Sequence, residues 1–281
     1  MSDFIQQRLE LVRQEMAKSN LDAFIIPRAD EYLGEYVPPQ NERLQWLSGF
    51  SGSAGVAVVL KTRAAMFVDG RYTIQVKQQV PEASFEFHHL IEEPPTGWLC
   101  ETLGENARIG IDSRMHTLSW YQATRKALAT KNIELIELDH NPIDLHWEDR
   151  PVPDLKLAML LGEEYTGVNS EKKRQMISAE IQKSGADIAL ISQLDSIAWL
   201  LNIRGGDVPR LPVLLAFATL DSTGDMVIYT DPRKLPNDFA AHVGKGVTVK
   251  EEDQLEQALH NLGNQGIRVM ADPTMANAWC Q

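Results

Sequence analysis

Cysteine is nearly missing from this 281-residue chain: only Cys100 and Cys280 are present, far apart in sequence. Two such residues build neither a disulfide framework nor a zinc site, and they are expected to be the reduced thiols of a cytoplasmic protein. Long apolar runs are also missing. None approaches the ~20 residues that cross a bilayer, so no membrane partner is expected. The N-terminus, Met1-Ser2-Asp3-Phe4-Ile5-Gln6-Gln7-Arg8, lacks the basic start and apolar stretch of a signal peptide. Positive charge is in deficit, with 27 Lys and Arg against 39 Asp and Glu, a net −12. A phosphate-backbone binder needs a basic face, so nucleic acid is not an expected partner. The His-Glu-x-x-His metal helix and the Gly-x-x-x-x-Gly-Lys phosphate loop are absent too. What is present is an ordinary globular composition, 43% apolar and 23% charged, at a length that suits about two domains.

The most informative feature is an internal repeat. Asn20-Leu21-Asp22-Ala23-Phe24-Ile25-Ile26 is echoed by Gly185-Ala186-Asp187-Ile188-Ala189-Leu190-Ile191. A helical pattern precedes each stretch. In the first, Ile5, Leu9, Val12 and Met16 share a face and Asp3 is placed to cap. In the second, Ser170 is the expected cap and Met176, Ile177 and Ile181 supply the face. Asn20 and Gly185 both suit the left-handed residue that ends a helix. The correspondence continues in order: Trp46-Leu47 with Trp199-Leu200, Asp69 with Asp231, Arg108 with Arg268, and Asp112 with Asp272. The first copy carries extra residues around Gly34 to Asn41. The chain therefore reads as two tandem α/β modules, about 1–150 and 160–281, each a mixed β-sheet flanked by helices. The second stops at the point where the first continues into a helix near Tyr121 and a strand near Ile133. It is expected to be truncated, with more protein following Gln281 and with lower stability than its twin.

Several segments carry candidate chemistry. Gly49, Gly52 and Gly55 surround Ser51 and Ser53, but the frame is neither Gly-x-Ser-x-Gly nor Gly-x-Gly-x-x-Gly, and a turn before a strand is expected. His88 and His89 adjoin on a strand and face opposite ways. Asp139, His140, Asp144 and His146 read as a solvated loop. Asp69-Gly70-Arg71-Tyr72 follows a strand as a turn in which Arg71 pairs locally. Arg204-Gly205-Gly206-Asp207 sets a cation and an anion around two glycines, a pattern that fits carboxylate recognition or an Arg–Asp pair holding its own loop. Glu92-Glu93, Glu163-Glu164 and Glu251-Glu252-Asp253 read as solvated faces.

The runs Pro27 to Tyr32, Glu42 to Gly55 and Phe67 to Tyr72 resemble the N-terminal domain of the eukaryotic-type Xaa-Pro aminopeptidases (aminopeptidase P). Leu194 to Pro209 resembles that family's middle domain. The resemblance implies two tandem creatinase/prolidase N-terminal-like modules. It also implies a catalytic pita-bread domain after residue 281 that holds two manganese ions, or similar divalent metals, on two Asp, one His and two Glu. On this reading the parent is a homodimeric, cytoplasmic metallo-exopeptidase that removes the residue before proline from proline-containing peptides. This chain then contains no catalytic or metal-ligating residue and binds no cofactor itself. Its partner is its own catalytic domain, and its roles are assembly and substrate access. Arg204 and Asp207, facing the missing domain, and Arg71 and Tyr72 are the candidates at the substrate entrance. The alternative is a free-standing tandem-module binding or assembly protein.

Overall fold

The computed structural model describes residues 2–281, and two compact units divide it: Met1–Asp30 with Pro39–Val152, and Glu31–Pro38 with Pro153–Gln281. The first domain read from the sequence is thus interrupted, because Glu31–Pro38 packs within the second unit. There Tyr32 stacks on Phe217 with ring centroids 5.2 Å apart, and its hydroxyl donates to Glu252 at 2.7 Å. Glu252 is therefore more than a solvated face.

In the first unit, α1 (Ser2–Lys18) leads into β1 (Ala23–Pro27). Next come α2 (Arg43–Ser48), β2 (Gly55–Leu60), β3 (Ala64–Val68), α3 (Thr73–Gln79), β4 (Glu86–His89) and α4 (Pro95–Thr102). The unit closes with β5 (Arg108–Ile111), α5 (Leu118–Leu128) and β6 (Glu134–Glu137). The sheet order is β4-β3-β2-β1-β5-β6. The β1–β2 and β2–β3 pairs are antiparallel, and the pairs β3–β4, β1–β5 and β5–β6 are parallel. The α1 stripe forms as its period demands: Ile5, Leu9, Val12 and Met16 are all buried against Phe24 and Ile26 of β1. Each such side chain contributes about 1.5–3 kcal/mol relative to exposure. Asp3 lies inside the first turn of α1 rather than capping it.

The second unit opens with β7 (Met159–Leu160), α6 (Glu163–Thr166) and α7 (Ser170–Ser184). It continues through β8 (Ile188–Ile191), α8 (Leu194–Leu201), β9 (Ile203–Arg204), β10 (Phe217–Asp221) and β11 (Met226–Tyr229). It ends with α9 (Phe239–Val243), β12 (Val247–Lys250), α10 (Gln254–Asn264) and β13 (Val269–Met270). Its main sheet runs β12-β11-β10-β8-β13. Each pair has the sense of its counterpart in the first unit: antiparallel for β8–β10 and β10–β11, parallel for β11–β12 and β8–β13. Two tandem modules with mixed sheets flanked by helices are thus what the chain forms. β7 and β9 make a separate antiparallel ribbon.

Two local expectations differ. Asn169, not Ser170, caps α7, its side-chain oxygen accepting from Lys172 N at 3.0 Å. Met176 of the expected apolar face is exposed, while Lys173, Arg174 and Ser178 are buried. Arg174 is buried because its guanidinium reaches Ser170 Oγ at 2.6 Å and the carbonyls of Gly224, Val243 and Lys245, which supply the polar partners that burial requires.

Candidate functional site

Arg71 and Tyr72 sit where β3 hands over to α3. Asp69 accepts from Arg71 N at 3.0 Å and from Arg71 Nη2 at 2.7 Å, and these bonds hold its carboxyl below the usual range. The Arg71 guanidinium lies 5.2 Å from the Tyr72 ring centre. Tyr72 meets Phe50 edge-on at 5.6 Å, and its hydroxyl shares a 2.7 Å hydrogen bond with Ser53 Oγ, which lowers its pKa. Ser51 N donates to Gln79 Oε1 at 3.0 Å, and Gln79 Nε2 donates back to Ser51 Oγ at 2.8 Å. The glycine-bearing loop is therefore strapped to α3. A Cβ on Gly52 would lie 2.2 Å from the Phe50 ring, so this glycine answers to packing against the loop's own aromatic. The patch offers hydrogen-bond donors and acceptors, with no nucleophile–base pair.

Arg71 is not peculiar to this place. Asp231 accepts from Arg233 N at 3.0 Å and from Arg233 Nη2 at 2.6 Å in the second unit, which holds Asp231 down at about 2. The same Asp-x-Arg clasp follows both β3 and β11. A second clasp also recurs. Asp22 accepts from Arg108 N at 2.8 Å across β1 and β5, and Asp187 accepts from Arg268 N at 3.0 Å across β8 and β13. These pairs were visible as aligned positions of the repeat, but their bonding was not.

Arg204 and Asp207 take different partners. Arg204 ends β9 opposite Met159, and its Nη1 donates to the carbonyl of Ile203 at 2.8 Å. Asp207 turns inward, with a side chain only 2% exposed, and its Oδ2 accepts from Leu215 N at 2.8 Å and from Lys234 Nζ at 2.9 Å. The expectation that Asp207 faces outward, or pairs with Arg204, is thus corrected: a carboxylate in this buried position takes the buried ammonium of Lys234, which sequence reading missed. Nor does Gly205 admit an outside group: a Cβ there would sit 2.4 Å from the backbone of Val213 and Leu214, so the chain's own returning segment occupies that approach, while Gly206 lies against the Lys156 side chain.

Two divalent metals need carboxylates and histidines that converge on them. Among the described residues no group of three or more His, Cys, Asp or Glu is so placed. Asp144 is engaged by Arg43 at 2.7 Å and by Arg150 at 3.2 Å, His146 by Glu15 at 2.8 Å, and His88 by Glu93 at 2.5 Å. The residues present do not fit a metal pair. Cys100 and Cys280 are free, and burial pushes the Cys280 thiol up to about 12. No described helix is long and apolar enough to cross a membrane.

Residues 8–145 match the family model of the creatinase/prolidase N-terminal domain, and residues 149–281 match a second model of the same description. A probable Xaa-Pro aminopeptidase P of Aspergillus flavus is 32% identical over 252 residues, which are 89% of this chain and 38% of the relative. That of Paracoccidioides lutzii is 34% identical over 261 residues, 92% of this chain and 42% of the relative. The chain thus spans about two-fifths of the length of the curated relatives it matches. Among solved structures, the X-prolyl aminopeptidase of Caenorhabditis elegans, described as a cytosolic enzyme with a di-nuclear active site, superposes with a TM-score of 0.92. The match covers 98% of this chain and 48% of that one at 24% identity, a likeness of fold.

Proposed function

Since the chain belongs to the creatinase/prolidase N-terminal domain family, of which it holds two tandem copies, we propose that it is the non-catalytic N-terminal part of a metal-dependent Xaa-Pro aminopeptidase. The observation that carries this reading is the alignment of nearly the whole chain with about two-fifths of the fungal aminopeptidases P. The donor set is in keeping with that division of labour, because among the described residues no three His, Cys, Asp or Glu converge on one point. The catalytic centre, with two manganese or similar ions, belongs to the remainder of the parent protein, a cytoplasmic homodimer acting on proline-containing peptides. When bound, such metals activate water and polarise the scissile carbonyl.

The two modules serve assembly and substrate access. Within the first unit Arg71 is exposed and Tyr72 half-buried, and within the second Arg204 is half-buried, so each has the partial exposure that an entrance position requires. Asp207 acts from beneath, holding the loop that presents Arg204.

The test compares the 281-residue chain with the full-length protein on an Xaa-Pro dipeptide, with and without manganese. Full-length protein should turn the substrate over, and the 281-residue chain should show neither turnover nor tightly held metal. Arg204→Ala in the full-length protein should raise KM or lower kcat. Turnover by the 281-residue chain, or an inert full-length protein, would sink the reading.

A further inference from the structure

The Asp207–Lys234 pair anchors a short hairpin. Gly205 N donates to the Pro212 carbonyl and Asp207 N to that of Val213, both at 3.3 Å, and a bridge between Val208 and Leu211 closes the ribbon. Only Pro209 and Arg210 lie beyond that bridge, and both are exposed. Leu211 N donates to the Val208 carbonyl at 3.3 Å, so the four residues form one hydrogen-bonded turn. Proline in the first central place and a positive φ in the second are the type II pattern, which calls for Gly or Asn in the second. The residue there is Arg210, at φ 69°. An L side chain in this conformation crowds its own backbone, and glycine would not.

A second strained residue lies close by. Leu33, on the segment 31–38, has φ 54°. Tyr32 beside it shares an apolar cluster with Val208, Val213 and Leu215, against which Leu211 packs. Asn277 Nδ2 fixes the segment by donating to the Glu31 carbonyl at 2.8 Å. Two strained non-glycine residues thus stand on two segments that meet in one cluster, each held by bonds to the body of the unit. Strain held in place this way collects at ligand clamps, where a side chain must be presented in one direction. Arg210 is what this turn presents. Its guanidinium makes no hydrogen bond or ion pair with any described residue, in a chain where Asp and Glu outnumber Lys and Arg 39 to 27.

We infer that Arg210 is a specificity-determining residue that takes a carboxylate of the peptide downstream of proline, either an acidic side chain or the C-terminus. A guanidinium fork matches a carboxylate bidentately. The inference rests on the entrance role proposed above for this loop. An enzyme that removes the first residue holds the N-terminus at its metals, so an entrance loop meets the trailing part of the peptide. Arg204 at the base of the hairpin is tied to the Ile203 carbonyl, whereas Arg210 at its tip is free to engage. Stability and binding are therefore opposed at this position, since glycine would relax the turn and lose the charge.

Three peptides test this with the full-length protein at low salt: Ala-Pro-Gln-amide, Ala-Pro-Glu-amide, and Ala-Pro-Gln with a free C-terminus. At least one carboxylate peptide should exceed the neutral amide in kcat/KM by about tenfold, and which one does so names the source. Arg210→Gly should abolish that ratio, leave the neutral amide within about twofold, and raise the melting temperature. Arg210→Lys should keep part of the ratio. A ratio that survives Arg210→Gly would overturn the inference. So would an equal loss on all three peptides, which marks a structural role. Analogues whose bond to proline is reduced to a CH2–N link, titrated by calorimetry, read the same ratio without turnover. An active protein with no carboxylate preference refutes the inference alone, and an inert protein whose analogues bind in that ratio refutes the function alone.

Discussion

Lys234 and Asp207 form an ion pair in a place where neither charge reaches much water, with side chains 11% and 2% exposed. Removing one partner leaves the other charge buried, so Lys234→Met should cost about 3–5 kcal/mol. Arg204→Ala, which removes a partly exposed guanidinium that donates to the neighbouring carbonyl of Ile203, should cost less than about 1 kcal/mol. Urea midpoints at constant m report both. His116 adds a pH dependence. It is buried and stacked on Trp120 at 3.9 Å, and burial lowers its pKa from 6.5 to about 3. The unfolded imidazole therefore takes a proton that the folded one refuses. Its contribution is fully present above pH 6.5 and is lost as pH falls toward 3. Between pH 7 and pH 5 this should cost about 2 kcal/mol, and His116→Phe, which keeps the ring stacked but cannot titrate, should lack that cost. Neither residue was singled out in the sequence, because a lone histidine or lysine carries no sign of its burial.

At the scale of the element, two glycines make opposite demands. Gly205 lies against the backbone of Val213 and Leu214 and has no room for a Cβ. Gly205→Ala should therefore destabilise by about 1–3 kcal/mol. Gly263 sits in α10 with nothing near the site of a Cβ, and Gly263→Ala should stabilise by about 0.5–1 kcal/mol through helix propensity. Melting temperatures of the two variants should move in opposite directions. The helices show what periodicity conveys. α1 was legible because its buried stripe is wholly apolar. α7 was legible as a helix, but its buried face only in part, because beside Ile181 it holds Lys173, Arg174 and Ser178, whose partners lie on distant segments. β4 was legible as a strand at His88 and His89, and the structure makes it the outermost strand of its sheet.

Across the whole molecule, the repeat was written in the order of its matching segments, and the five strands of the second sheet follow β4-β3-β2-β1-β5 of the first in the same order. The acidic balance of −12 and the paired clasps Asp69–Arg71 and Asp231–Arg233 belong to both modules alike. The sequence by itself determined the two-module plan, the helix and strand order and the family, because periodicity, turn residues and self-similarity are local properties preserved along the chain. Only the tertiary structure decided that Glu31–Pro38 joins the second unit, that Asp207 takes Lys234 in place of Arg204, and that β13 is left with an open apolar edge. Those outcomes depend on which distant groups share one buried volume, where desolvation selects the partner, and no spacing in a linear sequence records that proximity.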